Sequence, residues 1–453
     1  MSAGPEPHGD RRRIAELAGV PGAANLLDDA ALSELLDRPV RARYLRMKEG
    51  HSLVVAWQTA GAGAEPEAHG WTAVLADADK RGNALRRAER AGVPLREHTL
   101  PSQERGTVRA DAGAAAGGVP VLSGSAWADP ALVRQLARLR ACAGPGIRWE
   151  VLRFNPRRRL VLRAEDSTGV RAIRISAEGS AALSEATRQW QRLGAPVLSV
   201  EPVLSVEPVQ QAEAAATPPG ALEGVTASPW WGIGDLAAHP DTRAAEAAGA
   251  AIAEVHLRAR AGARTPDPGA DRAVPGVGPA LPGAEPAHLA GGIAKAVPHL
   301  RSRLMRLGEH LAPRLAGASP AGRGPTQLHG DLSPDQILVD AAGRIRIIDL
   351  DRAGWGPPAR DLGAWLAACR LQRSPTLASA FMHGYQEAAA ARAEVSAEKI
   401  AAWEAFALLQ RALEPMRGLA ADWCVQAEER VRLAEERLGL AEAAATHREV
   451  SGS

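Results

Sequence analysis

Apolar residues recur in short strand-like runs in the first half of the chain and with helical spacing in the second half. Two groups of strand-like runs begin at Ala42 and Leu152, and a helical segment follows each group. Beyond residue 235 the spacing predicts helices at 243–259, at 288–313 and over most of 362–447. The pattern predicts an α+β protein with a strand-rich first half and a largely helical second half.

The two strand-rich groups resemble each other. Residues 152–162 align without gaps on residues 45–55, and both segments predict two strands joined by a turn. Gly169–Ile173 then matches Gly70–Val74, and a helix followed by a Gly-x-Pro triplet comes next in both copies. A period of about one hundred residues indicates a duplicated module, and chance likeness between two hairpins rich in Arg, Val and Leu is the alternative.

The connections between these groups carry fewer signals. Residues 97–128 are rich in small residues and predict a linker with one strand, Val119–Leu122. Asp129 and Pro130 have the chemistry of an N-cap and a first helical residue, which predicts a helix that starts there. Residues 197–209 contain the sequence Leu-Ser-Val-Glu-Pro-Val twice, and the recurring proline restricts this stretch to an edge strand and a loop.

Composition excludes several classes of protein. Apolar residues make up 46% of the 453 residues, as in a globular protein, and the net charge of +2 argues against a dedicated binder of nucleic acid or of a membrane surface. No apolar run is long enough to span a bilayer, and residues 1–10 contain no apolar core of a secretory signal. Three widely separated cysteines fit reduced thiols, so we expect a cytoplasmic protein.

The most informative stretch runs from Gln327 to Asp351. Ile337–Val339 and Ile345–Ile348 are short apolar strands, and the intervening residues, which include Gly343, favour a turn. A hairpin of this kind returns the chain on itself. The residue that leaves the second strand is therefore expected near those that precede the first.

Three oxygen-bearing side chains lie at those two points. Asp331 and Gln336 precede the first strand, and Asp349 follows the second. Carboxylate and amide oxygens suit Mg²⁺, which keeps several waters and shares its remaining positions with phosphate oxygens. The sequence therefore predicts a site for a magnesium–phosphate complex beside this hairpin.

This stretch resembles the catalytic and metal-binding loops of the aminoglycoside phosphotransferase and choline kinase family, relatives of the protein kinases. The family pattern is H-G-D-x-x-x-x-N followed by I-D, and here His329-Gly330-Asp331 and Ile348-Asp349 match it. The resemblance implies that Asp331 is the catalytic base and that Asp349 binds the metals that bridge the nucleotide phosphates. Gln336 stands where the family has a metal-binding Asn, which keeps the amide oxygen on a longer side chain.

Further residues acquire roles through the same resemblance. The second module resembles a kinase small lobe, and Arg174 occupies the position of the strand lysine that contacts the α- and β-phosphates. Glu185 is the expected partner of Arg174, with Glu178 as a second candidate, and a solvated edge position is the alternative for Arg174. The first module has Leu75 at the aligned position, so it is not expected to bind nucleotide.

The resemblance implies a bilobal, protein-kinase-like α+β fold, with a small β-rich lobe and a large helical lobe, preceded by an extra module like the small lobe. The predicted domains are 1–128, the N-terminal module; 129–231, the small lobe; and 232–447, the helical lobe with the catalytic and metal loops. Asp361 is implied to cap a helix and to tie the catalytic loop, and His256 to pack in the core. Glu404, Glu414 and Asp422 are either solvated or face a cationic acceptor.

The resemblance implies a Mg²⁺-dependent transfer of the γ-phosphoryl group of ATP, or of GTP, to a hydroxyl of a small molecule. Aminoglycosides, sugars, amino alcohols and natural products are all open as acceptors. The alternative is a catalytically weak pseudokinase that senses nucleotide or acts as a scaffold, which the Arg174 and Gln336 departures favour. No nucleic acid or membrane partner is expected, and the sequence does not indicate an oligomeric state.

Overall fold

The computed structural model describes residues 7–100, 118–144, 146–204, 221–262, 286–316, 325–390 and 395–440. Contacts divide the chain into two compact units. Unit 1 consists of Met1–Ala181, Val200–Trp230 and Glu414–Trp423, and unit 2 consists of Ala182–Ser199, Trp231–Leu413 and Cys424–Ser453.

The first part of unit 1 is a sheet with helices before it and within it. Its elements are α1 Pro7–Ala18, α2 Ala23–Leu27, α3 Asp29–Leu36, β1 Val40–Lys48, β2 Ser52–Thr59, β3 His69–Leu75, α4 Ala78–Arg90, β4 Arg96–Leu100 and β5 Val119–Ser125. The five strands form an antiparallel sheet in the order β1-β2-β3-β5-β4. β4 was not predicted. Its residues show little alternation of buried and exposed side chains, so the sequence carries no period-2 signal.

A second sheet follows with the same plan. In chain order the elements are α5 Val133–Cys142, β6 Arg148–Asn155, β7 Arg159–Asp166, β8 Gly169–Ser176, α6 Ala181–Arg192, β9 Glu201–Leu204 and β10 Ala221–Pro229. Of these, α6 lies in unit 2 from Ala182 onward. The strand order is β6-β7-β8-β10-β9, so in both sheets a helix separates the third strand from an edge strand. β9 contains Pro202 and pairs only with β10, as the proline pattern predicts for an edge strand.

The pairing registers show that the two sheets correspond residue by residue in their first hairpins. The first hairpin pairs Lys48 with Ser52 and the second pairs Asn155 with Arg159, and these are the positions that the gapless alignment equates. The residue in the middle of the turn has a positive φ in both hairpins, Gly50 in one and Arg157 in the other. Arg157 therefore holds a backbone conformation that glycine adopts without strain.

One part of the sequence alignment is corrected by these registers. Arg174 lies opposite Val161 in β7, whereas Ala73 lies opposite the equivalent Val54 in β2. The first-module counterpart of Arg174 is therefore Ala73 and not Leu75, a shift of two residues that keeps the same face of the strand. Neither Ala73 nor Leu75 carries a charge.

The two sheets share one apolar core within unit 1. Side chains of both sheets and of α5 pack into it, among them Val54, Trp71, Leu122, Leu136, Leu160, Ile173 and Val225. Asp129 is buried beside this core instead of capping a helix. The helix begins only at Val133, and the Asp129 carboxylate accepts hydrogen bonds from the backbone N–H of Arg157, at 2.5 Å, and of Ala131, at 2.9 Å.

The remaining elements are mainly helical. They are β11 Gly234–Asp235, α7 Thr242–Gly262, α8 Pro286–Ala296, α9 Arg301–Ala316, β12 Thr326–Leu328, β13 Ile337–Val339, β14 Ile345–Ile347, β15 Gly354–Gly356, α10 Ala359–Leu371, α11 Pro375–Ala389, α12 Ala397–Gln410, α13 Glu414–Arg417 and α14 Trp423–Arg437. α13 belongs to unit 1 and the others lie wholly or mostly in unit 2. None of the helices in the described ranges is long and apolar enough to cross a membrane.

Unit 2 is organised by close helix packing beside two small sheets. β13 and β14 form the predicted hairpin, and β11 extends it to three strands, while β12 pairs with β15. α7 and α11 approach closely at Gly249 and Gly384, where a Cβ on either residue would collide with the backbone of the facing helix. The observed architecture is α+β, as predicted. The domain boundaries at 128 and 231 stay a prediction.

Candidate active site

Asp361 anchors the loop between β12 and β13. This carboxylate, in the first turn of α10, is fully buried and accepts hydrogen bonds from the backbone N–H of His329, at 2.8 Å, and of Gly330, at 2.9 Å. Burial acts to raise the pKa of Asp361, but the hydrogen bond from His256, the nearby His256 and His329 rings and the Gly330 N–H together lower it. Asp361 ties the loop as implied, but it does not cap the helix.

His256 does more than pack in the core. Its ring lies within hydrogen-bond distance of the Asp361 carboxylate, at 3.3 Å, and of the Tyr385 hydroxyl, at 3.0 Å. Its carbonyl oxygen accepts a hydrogen bond from the Thr326 hydroxyl at 2.8 Å. These contacts join α7, α10 and α11 to β12, the strand that leads into the loop. Burial raises the pKa of the Tyr385 hydroxyl.

Two more contacts fix the course of the loop. The His329 ring donates a hydrogen bond from Nε2 to the Ile348 carbonyl at 2.9 Å, which joins the start of the loop to the end of β14. Gly330 has a φ of 82°, and a Cβ at this position would collide with the carbonyl oxygen of Arg352. Glycine is therefore required between His329 and Asp331.

The Asp331 carboxylate lies between two arginines. Nη1 of Arg352 is 3.2 Å from Oδ2, and Nη2 of Arg411 is 3.3 Å from Oδ1. The Asp331 side chain is 40% exposed, so an acceptor can reach it. Burial lowers the pKa of a third arginine, Arg360, and the nearby Asp361 and Asp331 carboxylates oppose this change.

The predicted metal residues lie at the two ends of the hairpin. The backbone N–H of Ile348 donates to the Gln336 carbonyl at 3.0 Å, so the residue before Asp349 lies against Gln336. The Gln336 amide nitrogen donates to Asp335 at 3.3 Å, and Asp349 has a left-handed backbone with a φ of 60°. Among the described residues no group of three His, Cys, Asp or Glu side chains is close enough to hold a metal. One carboxylate and one amide oxygen still fit Mg²⁺, which takes its other ligands from water and phosphate.

Arg174 and Glu185 occupy different units. Arg174 is half-buried in β8, between Val161 and Thr226 of the neighbouring strands. Glu185 is exposed on α6 and pairs with Arg188 at 2.8 Å and with Arg192 at 2.9 Å. Their pairing with each other stays a prediction.

Several important residues were missed from the sequence. Arg352 follows the metal loop directly, and its position beside a candidate metal carboxylate was an available signal. Arg411 lies 80 residues after Asp331, at the end of α12, and no local pattern marks it. Glu404 was expected to be solvated or to face a cationic acceptor, and both interpretations are wrong. It is 1% exposed and pairs with Arg370 and Arg437, each at 2.7 Å.

Comparison with known proteins gives the family. The model of the phosphotransferase enzyme family (APH) matches residues 155–397, more than half of the chain. No curated protein matches significantly in sequence. A microcompartment-associated aminopropanol kinase is 17% identical with a TM-score of 0.45, covering 70% of this chain and 97% of its own.

Two further solved structures are similar to the same degree. Spectinomycin phosphotransferase APH(9)-Ia in complex with ADP and spectinomycin is 13% identical with a TM-score of 0.44, covering 67% of this chain and 95% of its own. The choline kinase LicA from Streptococcus pneumoniae is 14% identical with a TM-score of 0.43, covering 68% of this chain and 99% of its own. The family match includes the catalytic loop and the metal loop, the fold is protein-kinase-like as predicted, and the chain belongs to the phosphotransferase enzyme family.

Proposed function

We propose that the protein transfers the γ-phosphoryl group of ATP, or of GTP, to a hydroxyl of a small molecule in a Mg²⁺-dependent reaction in the cytoplasm. The observation that carries the proposal is the exposed Asp331 carboxylate on a loop whose backbone is held by buried Asp361. Positioning of the reactants and neutralisation of charge are what phosphoryl transfer mainly requires from a protein, and a held Asp331 would supply the positioning of the acceptor.

Each residue has a defined task. Asp331 orients the acceptor hydroxyl and accepts its proton, for which it must come within about 3 Å of that oxygen. Gln336 and Asp349 would hold Mg²⁺ through an amide and a carboxylate oxygen, and the metal–nucleotide complex would supply the phosphoryl group and the neutralisation of its charge. Arg174, paired with Glu185, would contact the phosphates as a planar guanidinium instead of an ammonium.

A catalytically weak pseudokinase is the second candidate. Two observations favour it: Arg174 and Gln336 depart from the family pattern, and the Glu185 carboxylate is already paired with Arg188 and Arg192. A protein of this kind would bind nucleotide through the same residues without rapid turnover.

Release of ADP, measured with Mg²⁺ and a panel of hydroxylated acceptors, separates the two candidates. We expect acceptor-dependent release that EDTA abolishes and that Asp331→Ala lowers at least about a thousandfold, while nucleotide affinity is retained. Lys295→Ala, on α8, is the control and is expected to leave the rate unchanged. Nucleotide binding without release supports the pseudokinase. Release that persists in Asp331→Ala contradicts the assignment of the base.

A further inference from the structure

Arg411 and Arg352 differ in how firmly they are held beside Asp331. The Arg411 side chain is only 12% exposed and also donates to the Ala407 carbonyl at 3.4 Å. Its own carbonyl accepts a hydrogen bond from Arg430. Arg352 is half exposed. The Arg411 guanidinium is thus a fixed charge of the site, whereas Arg352 can move with the acceptor.

These charges bear on the acceptor because the reacting hydroxyl must bind at Asp331. A hydroxyl within about 3 Å of the carboxylate brings its neighbouring groups to within roughly 6 Å of both guanidiniums. At that distance a unit charge on the acceptor changes its affinity by a factor of about ten to a hundred, with the sign of the charge deciding the direction. An ammonium group is disfavoured there, and a carboxylate or phosphate group is favoured.

Three acidic residues of unit 2, Glu404, Asp335 and Asp349, do not offset this. Glu404, the expected contact for a cationic acceptor, is buried between Arg370 and Arg437. Asp335 accepts hydrogen bonds from Ser333 and Gln336, on the side of the loop assigned to the metal. Asp349 is itself a metal candidate, so its charge would be neutralised by the cation.

We propose that the acceptor is an anion, a hydroxylated small molecule with a carboxylate or phosphate group close to the reacting hydroxyl, which Arg411 and Arg352 bind. The proposal rests on the proposed function. It departs from cationic acceptors such as aminoglycosides and amino alcohols, which the family resemblance leaves open.

Three sugars of different charge test it: glucose 6-phosphate, which is anionic at C6, neutral glucose, and glucosamine, which is cationic at C2. We expect kcat/KM to fall in that order, by at least about tenfold from first to last. Arg411→Gln should reduce the preference for glucose 6-phosphate over glucose about tenfold, mainly through KM. Arg306→Gln removes an exposed arginine from α9 of the same unit and should leave the preference unchanged.

Each other outcome is decisive. Preference for glucosamine overturns the acceptor proposal and leaves the proposed function standing. An equal loss for all three sugars in Arg411→Gln also overturns it, because the arginine then acts on the transferred phosphoryl group. If no sugar is phosphorylated, affinities measured with Mg²⁺ and a non-hydrolysable ATP analogue decide: tighter binding of glucose 6-phosphate supports the anionic site, and no preference overturns it.

A second, independent inference concerns unit 1. Four arginines line a groove of about 600 Å³ formed by α4 and α5, with Ala91 and Ala137 between them; they are Arg87, Arg90, Arg134 and Arg138. All four are exposed, and within the described ranges none of them is in an ion pair. The volume is in the range of small-molecule sites.

The positive charge extends beyond the groove. Burial lowers the pKa of Arg157 in the β6–β7 turn, and the nearby Arg46 and Arg87 lower it further against the opposing effect of Asp129. The neighbouring guanidinium groups repel one another, and an anion that bridges them relieves the repulsion. Guanidinium groups bind phosphate through paired hydrogen bonds, so several phosphates on one molecule match several arginines.

We infer that this groove, which has no part in the proposed reaction, binds a small molecule with two or three phosphate groups. The probe is tripolyphosphate, titrated calorimetrically into the full chain without Mg²⁺. Arg134→Glu should weaken binding at least about tenfold. Arg86→Glu makes the same charge change on α4 outside the groove and should leave the affinity unchanged. Equal affinities for the protein and Arg134→Glu, an equal loss in both variants, or tighter binding of a single-stranded oligonucleotide overturns the inference.

Discussion

Asp129 gives a pH dependence of stability whose sign can be worked out from the structure. The carboxylate is fully buried in unit 1 and accepts backbone hydrogen bonds from Arg157 and Ala131. Burial raises its pKa from 3.8 to about 6, and the hydrogen bonds to the charged form oppose this only in part. Asp129→Asn keeps the shape and an acceptor oxygen but removes the titration.

The size and direction follow from linkage. A pKa that is higher in the folded than in the unfolded protein means that the folded state binds more protons between the two values. The free energy of unfolding therefore falls as the pH rises through this window. A shift of about two units corresponds to about 3 kcal/mol in total, of which about 2 kcal/mol is lost between pH 4.5 and 7.5.

The measurement is the difference in unfolding free energy between the protein and Asp129→Asn, from urea titrations across that pH range. Subtraction removes the contribution of every other group, so the difference should change by about 2 kcal/mol, with the variant gaining as the pH rises. Asp77→Asn is the control. Hydrogen bonds from the Lys80 and Asp79 N–H groups lower the pKa of exposed Asp77, so its contribution is lost only at more acidic pH.

A difference that is flat with pH would refute the reasoning for Asp129. A difference that moves in the opposite direction would show that the backbone hydrogen bonds outweigh the cost of burying the charge. In that case the pKa of Asp129 would lie below its ordinary value, and the β6–β7 turn would be held by a carboxylate that stays ionised in acid.

Four substitutions in unit 2 follow from its packing. Gly249→Ala should lower the free energy of unfolding by about 2 kcal/mol, because its Cβ meets the backbone of α11. Gly291→Ala, with open space around it on α8, should raise the free energy of unfolding by about 1 kcal/mol. Equal effects of the two substitutions in urea unfolding would contradict this. Asp361→Asn should lower the free energy of unfolding by about 3 kcal/mol and speed hydrogen exchange at the Gly330 amide. Unchanged exchange would contradict the role of Asp361 in holding the loop. Glu404→Gln should cost about 3 kcal/mol by chemical denaturation, because its two arginine partners lose their counter-charge, and a cost near zero would contradict that account.

The hairpin of β13 and β14 was predictable because all of its determinants are local. Short apolar strands, a turn with Gly343 and chain reversal place Asp349 near Gln336 without any distant contact. The observed strands Ile337–Val339 and Ile345–Ile347 lie within the predicted limits, which differ by one residue at Ile348. The strand order of the two modules likewise follows the repeat in the sequence.

The missed features depend on contacts between distant parts of the chain. Arg411 reaches Asp331 only through the packing of α12, and Asp129 is drawn from a capping position to the turn at Arg157, 28 residues away. The alignment of the third strands was two residues out because their sequences hold few matches. Hydrogen-bond register, unlike sequence, equates Ala73 with Arg174.

The hydrogen bonds that Asp361 accepts from the loop between β12 and β13 bear on the choice between an enzyme and a pseudokinase. Burying the ionised Asp361 carboxylate beside His256 is costly, and apolar side chains of similar volume would serve packing as well or better. What the carboxylate provides, and apolar side chains cannot, is a fixed direction for the N–H groups of His329 and Gly330, and hence a fixed position for Asp331. Nucleotide sensing needs the phosphate and metal contacts but not a positioned base. A buried carboxylate that fixes the position of Asp331 therefore favours turnover over nucleotide sensing alone.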